Sequence, residues 1–191
     1  GIEGLANKLE GMFALAIWDN ERGILTLLRD RIGIKPLYFS RFGGIFRFAS
    51  EIKSLLSDPK MPRRAESSAI GHYLSFMVAP APITLFKDVF KLPAGHIMEI
   101  TADGSISSHR YWDALPGRGS GHHSDDEDLA QGIIKRLQAA VEKRMMSDVP
   151  VGAFLSGGID SSTNVALMDR VSSKPVETFT VGFSDYKQLN E

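Results

Sequence analysis

Residues 154–162, FLSGGIDSS, place small and hydroxyl-bearing residues directly after an apolar run. Gly157 and Gly158 permit close backbone approach or a positive φ, and a helix start adds roughly +0.5 elementary charge. Backbone amides arranged in this way bind phosphate. Hydroxyl donors would come from three serines, Ser156, Ser161 and Ser162. Because an acid would repel a phosphate unless a cation lay between them, we expect Asp160 to meet Mg²⁺ held by phosphate oxygens.

Two better-known phosphate motifs do not fit this stretch. It lacks the lysine of the Walker A pattern, and its glycines do not have the G-x-G-x-x-G spacing of dinucleotide-binding folds. The alternative without a ligand is a Gly-Gly turn in which Ser161 or Ser162 caps the following helix. An acid and three serines after a buried strand favour phosphate binding over that alternative.

A strand and a helix must position this loop. Residues 149–155 are mostly apolar, which predicts a buried parallel strand with Pro150 near its first residue. Residues 163–171 predict a helix, and residues 176–183 predict a second strand. An earlier helix is predicted from apolar residues at helical spacing, Leu129, Ile133, Leu137, Ala140, Val141 and Met145. The pattern therefore predicts a β–α–β unit, the start of a doubly wound sheet.

The first 110 residues are rich in predicted strands. Residues 12–18 and 24–30 surround a polar turn and predict a β-hairpin. Residues 36–42 and 45–50 surround Gly43-Gly44 and predict a second hairpin. Further elements are predicted at residues 50–56 (a short helix), 69–76 (a helix) and 95–100 (a strand).

Residues 113–126 combine Pro, Gly, Ser and charge with almost no apolar content, which predicts a linker. We therefore place a first domain at residues 1–113, the linker at 114–126 and a second domain at 127–191. His122 and His123 have no third ligand nearby, which favours a solvated segment over a metal site.

Composition argues against several classes of protein. The net charge of -1 provides no electrostatic footprint for nucleic acid or an anionic membrane, and no run of about 18 apolar residues is present. The first 20 residues do not have the pattern of a signal peptide. The chain has no cysteine, so it can contain neither a disulfide nor a cysteine nucleophile. Because that composition fits a reducing compartment, we expect a cytoplasmic protein.

SGGIDSS resembles the pyrophosphate loop (SGG-x-DSS) of the ATP pyrophosphatase family, whose members cleave ATP to AMP and pyrophosphate while adenylating a substrate. VPVGAFL before it and ETFTVGF after it strengthen the resemblance. Four segments of the first half resemble, in order, the glutaminase domain of glutamine-hydrolysing (class II) asparagine synthetases: LEGMFALAIWD, LLRDRIGIKPLYF, FASEIKSLL and LPAGH. RYWD at 110–113 resembles the end of that domain.

The resemblance implies an α+β N-terminal-nucleophile (Ntn) αββα sandwich, of which this chain would hold the C-terminal part. The first β-α-β unit of an α/β adenine-nucleotide α-hydrolase-like (PP-loop) domain would follow. It implies ATP with Mg²⁺ as cofactors and glutamine and aspartate as further substrates. From composition we expect no nucleic-acid partner and no membrane, and the resemblance leaves a homodimer open for the whole protein.

The resemblance also assigns site residues. Asp30 corresponds to the acid that binds the α-amino group of glutamine, although the residues alone favour local pairing with Arg29 or Arg31. Leu155 and Val181 correspond to positions whose backbone groups contact the nucleotide. The pyrophosphate loop comprises Ser156, Gly157, Gly158, Asp160, Ser161 and Ser162, with Asp160 reaching Mg²⁺ through the ATP phosphates.

Two features of that family are missing from these residues, the nucleophilic N-terminal Cys and an Asn-Gly-Glu segment. We expect both upstream of Gly1, and the rest of the synthetase site downstream of Glu191. The chain would then be an internal fragment, inactive by itself. The whole protein would make asparagine from aspartate, glutamine and ATP through β-aspartyl-AMP and channelled ammonia. Two alternatives stay open: an amidotransferase acting on another carboxylate, and a non-catalytic homologue that binds or regulates.

Overall fold

The computed structural model describes residues 1–115 and 125–182. The chain divides into two compact units, Gly1–Gly119 and Ser120–Glu191. Most of the predicted linker, including His122 and His123, lies outside the described residues. The domain boundaries drawn from the sequence stay a prediction.

The first unit consists of short helices and antiparallel strands. Its elements in chain order are α1 (Ile2–Lys8), β1 (Ala14–Asp19), β2 (Ile24–Arg29), β3 (Tyr38–Phe42), β4 (Ile45–Ala49), α2 (Ile52–Leu55), α3 (Ser67–Phe76), β5 (Phe90–Lys91), β6 (His96–Thr101) and β7 (Ile106–Arg110). The sequence patterns predict none of α1, β5 and β7, and both predicted hairpins are confirmed.

Turn chemistry explains the two hairpins. β1 and β2 pair antiparallel from Ala14 opposite Arg29 to Asp19 opposite Ile24, and the Asp19 carboxylate accepts two amide hydrogen bonds within the turn. β3 and β4 are joined through Gly43 and Gly44, with φ of +61° and +75°. Two successive positive φ angles are the signature of a tight primed turn, which glycine adopts without strain.

The strands form two sheets that pack face to face. Their strand orders are β1-β2-β6-β7 and β4-β3-β5. Leu27 of β2 and Met98 of β6 lie in one buried cluster with Leu37 and Leu92, against which Phe39 of β3 packs. Because side chains alternate along a strand, Leu28 points to the opposite face of the first sheet.

A helix covers the outer face of each sheet. Ala6 of α1 packs with Leu28 and Ile97 on the first sheet. Leu55 of α2 packs in a cluster that includes Tyr38 of β3 on the second sheet. The first unit therefore has the helix–sheet–sheet–helix layers of the predicted αββα sandwich.

The second unit contains the predicted β–α–β arrangement. Its elements are α4 (Asp126–Arg144), β8 (Gly152–Phe154), α5 (Ile159–Val171) and β9 (Glu177–Phe179). β8 and β9 pair in parallel, with Gly152 opposite Glu177 and Phe154 opposite Phe179. Within the described residues, no helix is both long and apolar enough to cross a membrane.

Two predictions for the second unit are wrong in detail. The strand before the loop is not buried, since Phe154 is 80% exposed. Within the described ranges β8 pairs with β9 alone, so much of the surface of β8 is exposed. α5 starts at Ile159 rather than at residue 163, because the amide of Ser162 already bonds the Gly158 carbonyl at 3.1 Å. Asp160, Ser161 and Ser162 therefore belong to the first helical turn.

Candidate functional site

The loop of the second unit begins where β8 ends. The Leu155 amide donates to the Phe179 carbonyl at 2.9 Å, and the Leu155 carbonyl accepts the Thr180 hydroxyl at 2.7 Å. Both backbone groups of Leu155 are thus engaged with the end of β9. Val181, which follows β9, is 73% exposed. Backbone contact of Leu155 and Val181 with a nucleotide stays a prediction.

The turn after Leu155 depends on Gly157, whose φ is +89°. A side chain at this φ would strain the backbone, so glycine is required for the observed path. Gly158 has an ordinary φ of -68° and serves as the N-cap of α5. A Cβ on Gly158 would contact only the Ser156 hydroxyl, at 3.4 Å. The two glycines therefore have different roles.

The start of α5 is uncapped by side chains. Among the described residues, none accepts a hydrogen bond from the amides of Ile159, Asp160 and Ser161. The first amides of a helix have no intrahelical partner and carry the positive end of the helix dipole. This end of the loop can therefore donate several hydrogen bonds to an anion.

The three serines of the loop are not equivalent. The Ser161 hydroxyl donates to the Gly158 carbonyl at 3.0 Å and accepts the Ser156 amide at 3.3 Å. The Ser156 hydroxyl lies 3.2 Å from the Ser161 hydroxyl and accepts the Gly158 amide at 3.4 Å. Ser162 is exposed, and its side chain has no hydrogen bond to the described residues. The alternative in which a serine caps the helix is wrong for both Ser161 and Ser162, since no side chain caps the N-terminus of α5.

Asp160 lies exposed in the first turn of α5. A carboxylate there is favourable to the helix dipole without any ligand. Within the described part of the chain, no group of three or more His, Cys, Asp or Glu residues could hold a metal ion. Asp160 could thus contribute one carboxylate to a metal whose other ligands come from phosphate.

Asp30 of the first unit has a different environment. It is 1% exposed, and its two carboxylate oxygens accept the amides of Ile34 and Lys35, each at 2.9 Å. Burial pushes the pKa of Asp30 upward, but the amide hydrogen bonds, chiefly from Lys35 and Ile34, outweigh it and leave the pKa below its ordinary value. The carboxylate is therefore ionised and holds a loop of its own chain.

The side chain of the neighbouring Arg29 holds the same loop by donating hydrogen bonds to backbone carbonyls of that loop. Its guanidinium donates to the carbonyls of Gly33 at 2.7 Å, Lys35 at 2.8 Å and Leu92 at 2.5 Å. Pairing of Asp30 with Arg29 or Arg31 through the carboxylate is not observed. The sequence analysis does not predict the role of Arg29, although a charged pair at the end of an apolar strand was the signal.

Residues 1–112 match the family described as "Glutamine amidotransferase domain". The chain belongs to that family. Residues 132–191 match a second family, described as "Asparagine synthase", and these residues include the loop at the start of α5. The two matches fall in the two compact units.

Relatives are similar over most of this chain but over a minor part of their own length. Asparagine synthetase (glutamine-hydrolyzing) 3 of Bacillus subtilis (strain 168) is 31% identical over 96% of this chain and 30% of the relative. Asparagine synthetase (glutamine-hydrolyzing) 1 of the same organism is 37% identical over 95% of this chain and 28% of the relative. Amidase chyE of Penicillium rubens is 36% identical over 82% of this chain and 23% of the relative. The chain thus spans less than a third of each of these relatives.

Proposed function

We propose that this chain is part of a glutamine-hydrolysing asparagine synthetase. In that reaction ATP adenylates the β-carboxylate of aspartate and releases pyrophosphate. Ammonia from glutamine hydrolysis then attacks the acyl-adenylate, which yields asparagine and AMP. Both family matches and the names of the two bacterial relatives support the proposal.

The first unit would be the glutaminase part, with the Ntn sandwich fold. Its layer order and its family match support that assignment. Because the sequence contains no cysteine, these 191 residues are not expected to hydrolyse glutamine by themselves. For Asp30, the geometry favours a role in holding the loop at residues 31–35. Contact between Asp30 and the α-amino group of glutamine stays a prediction.

The second unit would bind the phosphates of Mg-ATP in a PP-loop domain. The observation that carries this proposal is the uncapped start of α5 directly after a parallel strand, with free amides from Ile159 to Ser161. Those amides and the exposed Ser162 hydroxyl would stabilise the charge of the leaving pyrophosphate. Asp160 would bind the Mg²⁺ that arrives with ATP, a hard cation that accepts carboxylate and phosphate oxygens together.

Titration of Mg-ATP into this chain tests the phosphate site. We expect wild type to bind and Asp160→Ala to bind about tenfold more weakly, which corresponds to about 1.4 kcal/mol. Asp169→Ala is the matched control, because Asp169 lies on the same helix and is also exposed. Equal affinity of Asp160→Ala and wild type would contradict the metal-bridging role, and no binding by wild type would contradict the site itself.

The second candidate is an amidotransferase that uses both domains on a carboxylate other than aspartate. The similarity to amidase chyE supports this second candidate. Pyrophosphate release by the whole protein, compared between aspartate and a panel of other carboxylic acids, separates the two. The non-catalytic alternative predicts no pyrophosphate release with any acid. Cytoplasmic localisation and a homodimer stay predictions.

A further inference from the structure

We propose that helix α3 carries a surface through which two copies of this chain pair about a two-fold axis. The surface consists of exposed apolar side chains on α3 and on the two residues after it, namely Ile70, Tyr73, Leu74, Phe76, Met77 and Val78. We call this surface the α3 face. The inference is independent of the proposed reaction, because it concerns assembly and is measured without substrates.

The α3 face exposes the kind of apolar stripe that a helix normally buries. Ile70, Tyr73, Leu74 and Met77 recur at i, i+3, i+4 and i+7, the spacing that places side chains on one side of a helix. All residues from 70 to 78 are exposed, and Leu74 and Met77 are each 75% exposed. Within the described residues, α3 does not pack closely against any other helix or strand. The stripe therefore has no partner in that part of the chain.

Contacts at the two ends of α3, rather than packing along it, hold the helix in place. The Glu66 carboxylate accepts the Ser68 amide at 3.2 Å, and the Glu66 amide donates to the Leu85 carbonyl at 2.9 Å. Beyond the C-terminus of the helix, the Lys91 ammonium donates to the Ala79 carbonyl. Because both ends are fixed to the rest of the first unit, the α3 face is preorganised for a partner.

The absence of charge favours a second copy of the chain as that partner. Residues 67–86 contain no Asp, Glu, Lys or Arg. In a two-fold contact the same surface lies on both sides, so a charged group there would meet groups of the same sign. The α3 face avoids that repulsion, whereas a strongly charged partner would find no opposite charge on it. Depletion of charge is also typical of interface cores.

The size of the α3 face fits one half of a dimer interface. Its six side chains are between 40% and 75% exposed, which leaves on the order of 600 Å² of apolar surface. A standard interface takes about 800 Å² from each partner. The neighbouring Leu85 is also exposed and enlarges the surface. Two copies of the α3 face therefore approach the area that a stable dimer needs.

Sedimentation equilibrium of the 191-residue chain tests the pairing. We expect a monomer–dimer equilibrium in which Leu74→Glu raises the dissociation constant at least about tenfold, because it places a charge at the middle of the α3 face. Leu129→Glu is the matched control, since Leu129 is an exposed leucine on helix α4. This control should stay within about twofold of wild type. Circular dichroism spectra equal to that of wild type establish that both variants fold.

Cross-linking gives a second test, because the chain contains no cysteine. Leu74→Cys places a single thiol at the middle of the α3 face, where in a two-fold pair it lies close to the same thiol of the other copy. We expect a short bis-maleimide to link two copies of Leu74→Cys. Glu21→Cys, exposed in the turn after β1, should stay unlinked.

Three results would overturn the inference. Wild type that sediments as a monomer at every concentration would show that the α3 face does not pair copies of the chain. Weakening by Leu129→Glu as large as that by Leu74→Glu would place the contact elsewhere. Equal cross-linking of Leu74→Cys and Glu21→Cys would show association without a defined surface. None of these measurements uses ATP, glutamine or aspartate, so failure of the proposed function leaves the test intact.

Discussion

Arg29 and Asp30, adjacent at the end of β2, both hold the loop at residues 31–35, the first as a hydrogen-bond donor and the second as an acceptor. Arg29 donates to the carbonyls of Gly33 and Lys35, and Asp30 accepts the amides of Ile34 and Lys35. The pair also contacts a second segment through its backbone, because the Asp30 carbonyl accepts the Gly95 amide at 2.9 Å. The two residues thereby connect β2, the loop after it and the turn before β6.

Replacing Arg29 by lysine should destabilise the first unit although the charge is kept. A single ammonium cannot reach three carbonyls that the planar guanidinium serves together. We expect the free energy of unfolding to fall by about 2 kcal/mol. Urea unfolding followed by tryptophan fluorescence measures it, since both tryptophans, Trp18 and Trp112, lie in the first unit. Arg22→Lys, in the exposed turn after β1, should change it by less than about 0.5 kcal/mol; a similar small change for Arg29→Lys would contradict the prediction.

Asp30→Asn should cost stability in a pH-dependent way. The amide group would turn an N–H toward a backbone N–H, at a cost of about 1–3 kcal/mol near pH 7. The pKa of Asp30 is lowered in the folded state, so its contribution is present above the unfolded pKa of about 3.9 and is lost as pH falls through the folded pKa. The stability difference between wild type and Asp30→Asn should therefore shrink below about pH 4.

Urea unfolding at pH 7 and at pH 3 measures that difference. Glu21→Gln, exposed in the turn after β1, should have little effect on stability at either pH. A difference between wild type and Asp30→Asn that is the same at both pH values would mean that the charged form of Asp30 does not hold the loop.

Gly95→Ala should be among the most damaging substitutions in the first unit. Gly95 has φ of +65°, and an added Cβ would lie 2.5 Å from the Trp112 carbonyl oxygen, a backbone atom that cannot turn aside. Gly104→Ala is the matched control, because Gly104 has φ of +82° and its nearest neighbour is a flexible arginine end at 3.6 Å.

Both substitutions cost about 1–2 kcal/mol of backbone strain. We expect Gly95→Ala to cost at least about 2 kcal/mol more than Gly104→Ala, because only Gly95 meets a backbone atom. Thermal or urea unfolding by tryptophan fluorescence gives the comparison. Equal losses for the two variants would show that backbone strain alone determines the cost.

The two loop glycines should respond differently to alanine. Gly157→Ala forces a Cβ onto φ of +89°, at a cost of about 1–2 kcal/mol. Because the turn must keep that φ to leave the helix amides free, we expect Mg-ATP to bind about tenfold more weakly. Gly158→Ala, with φ of -68° and a Cβ at van der Waals distance from Ser156, should bind within about threefold of wild type. Calorimetric titration distinguishes the two, and a reversed order would contradict the assigned roles.

Features with local causes could be predicted from sequence. Gly43-Gly44 between two apolar runs specifies a hairpin turn, because glycine alone adopts two successive positive φ angles without strain. Gly157 and Gly158 after an apolar run predicted a turn between a strand and a helix, although the helix begins at Ile159 and not at residue 163. Both predictions concern backbone conformation within a few residues, for which the residue types supply sufficient physical cause.

The tertiary structure alone decided which polar side chains form hydrogen bonds within the chain and which remain available to a ligand. Arg29 reaches Leu92, 63 residues away, and no local pattern specifies that contact. The structure likewise distinguishes Ser161 from Ser162, because one hydroxyl faces the turn and the other faces solvent. Residue type determines what a hydroxyl or a carboxylate can donate or accept. Only the packing of distant segments determines whether that capacity remains for a ligand.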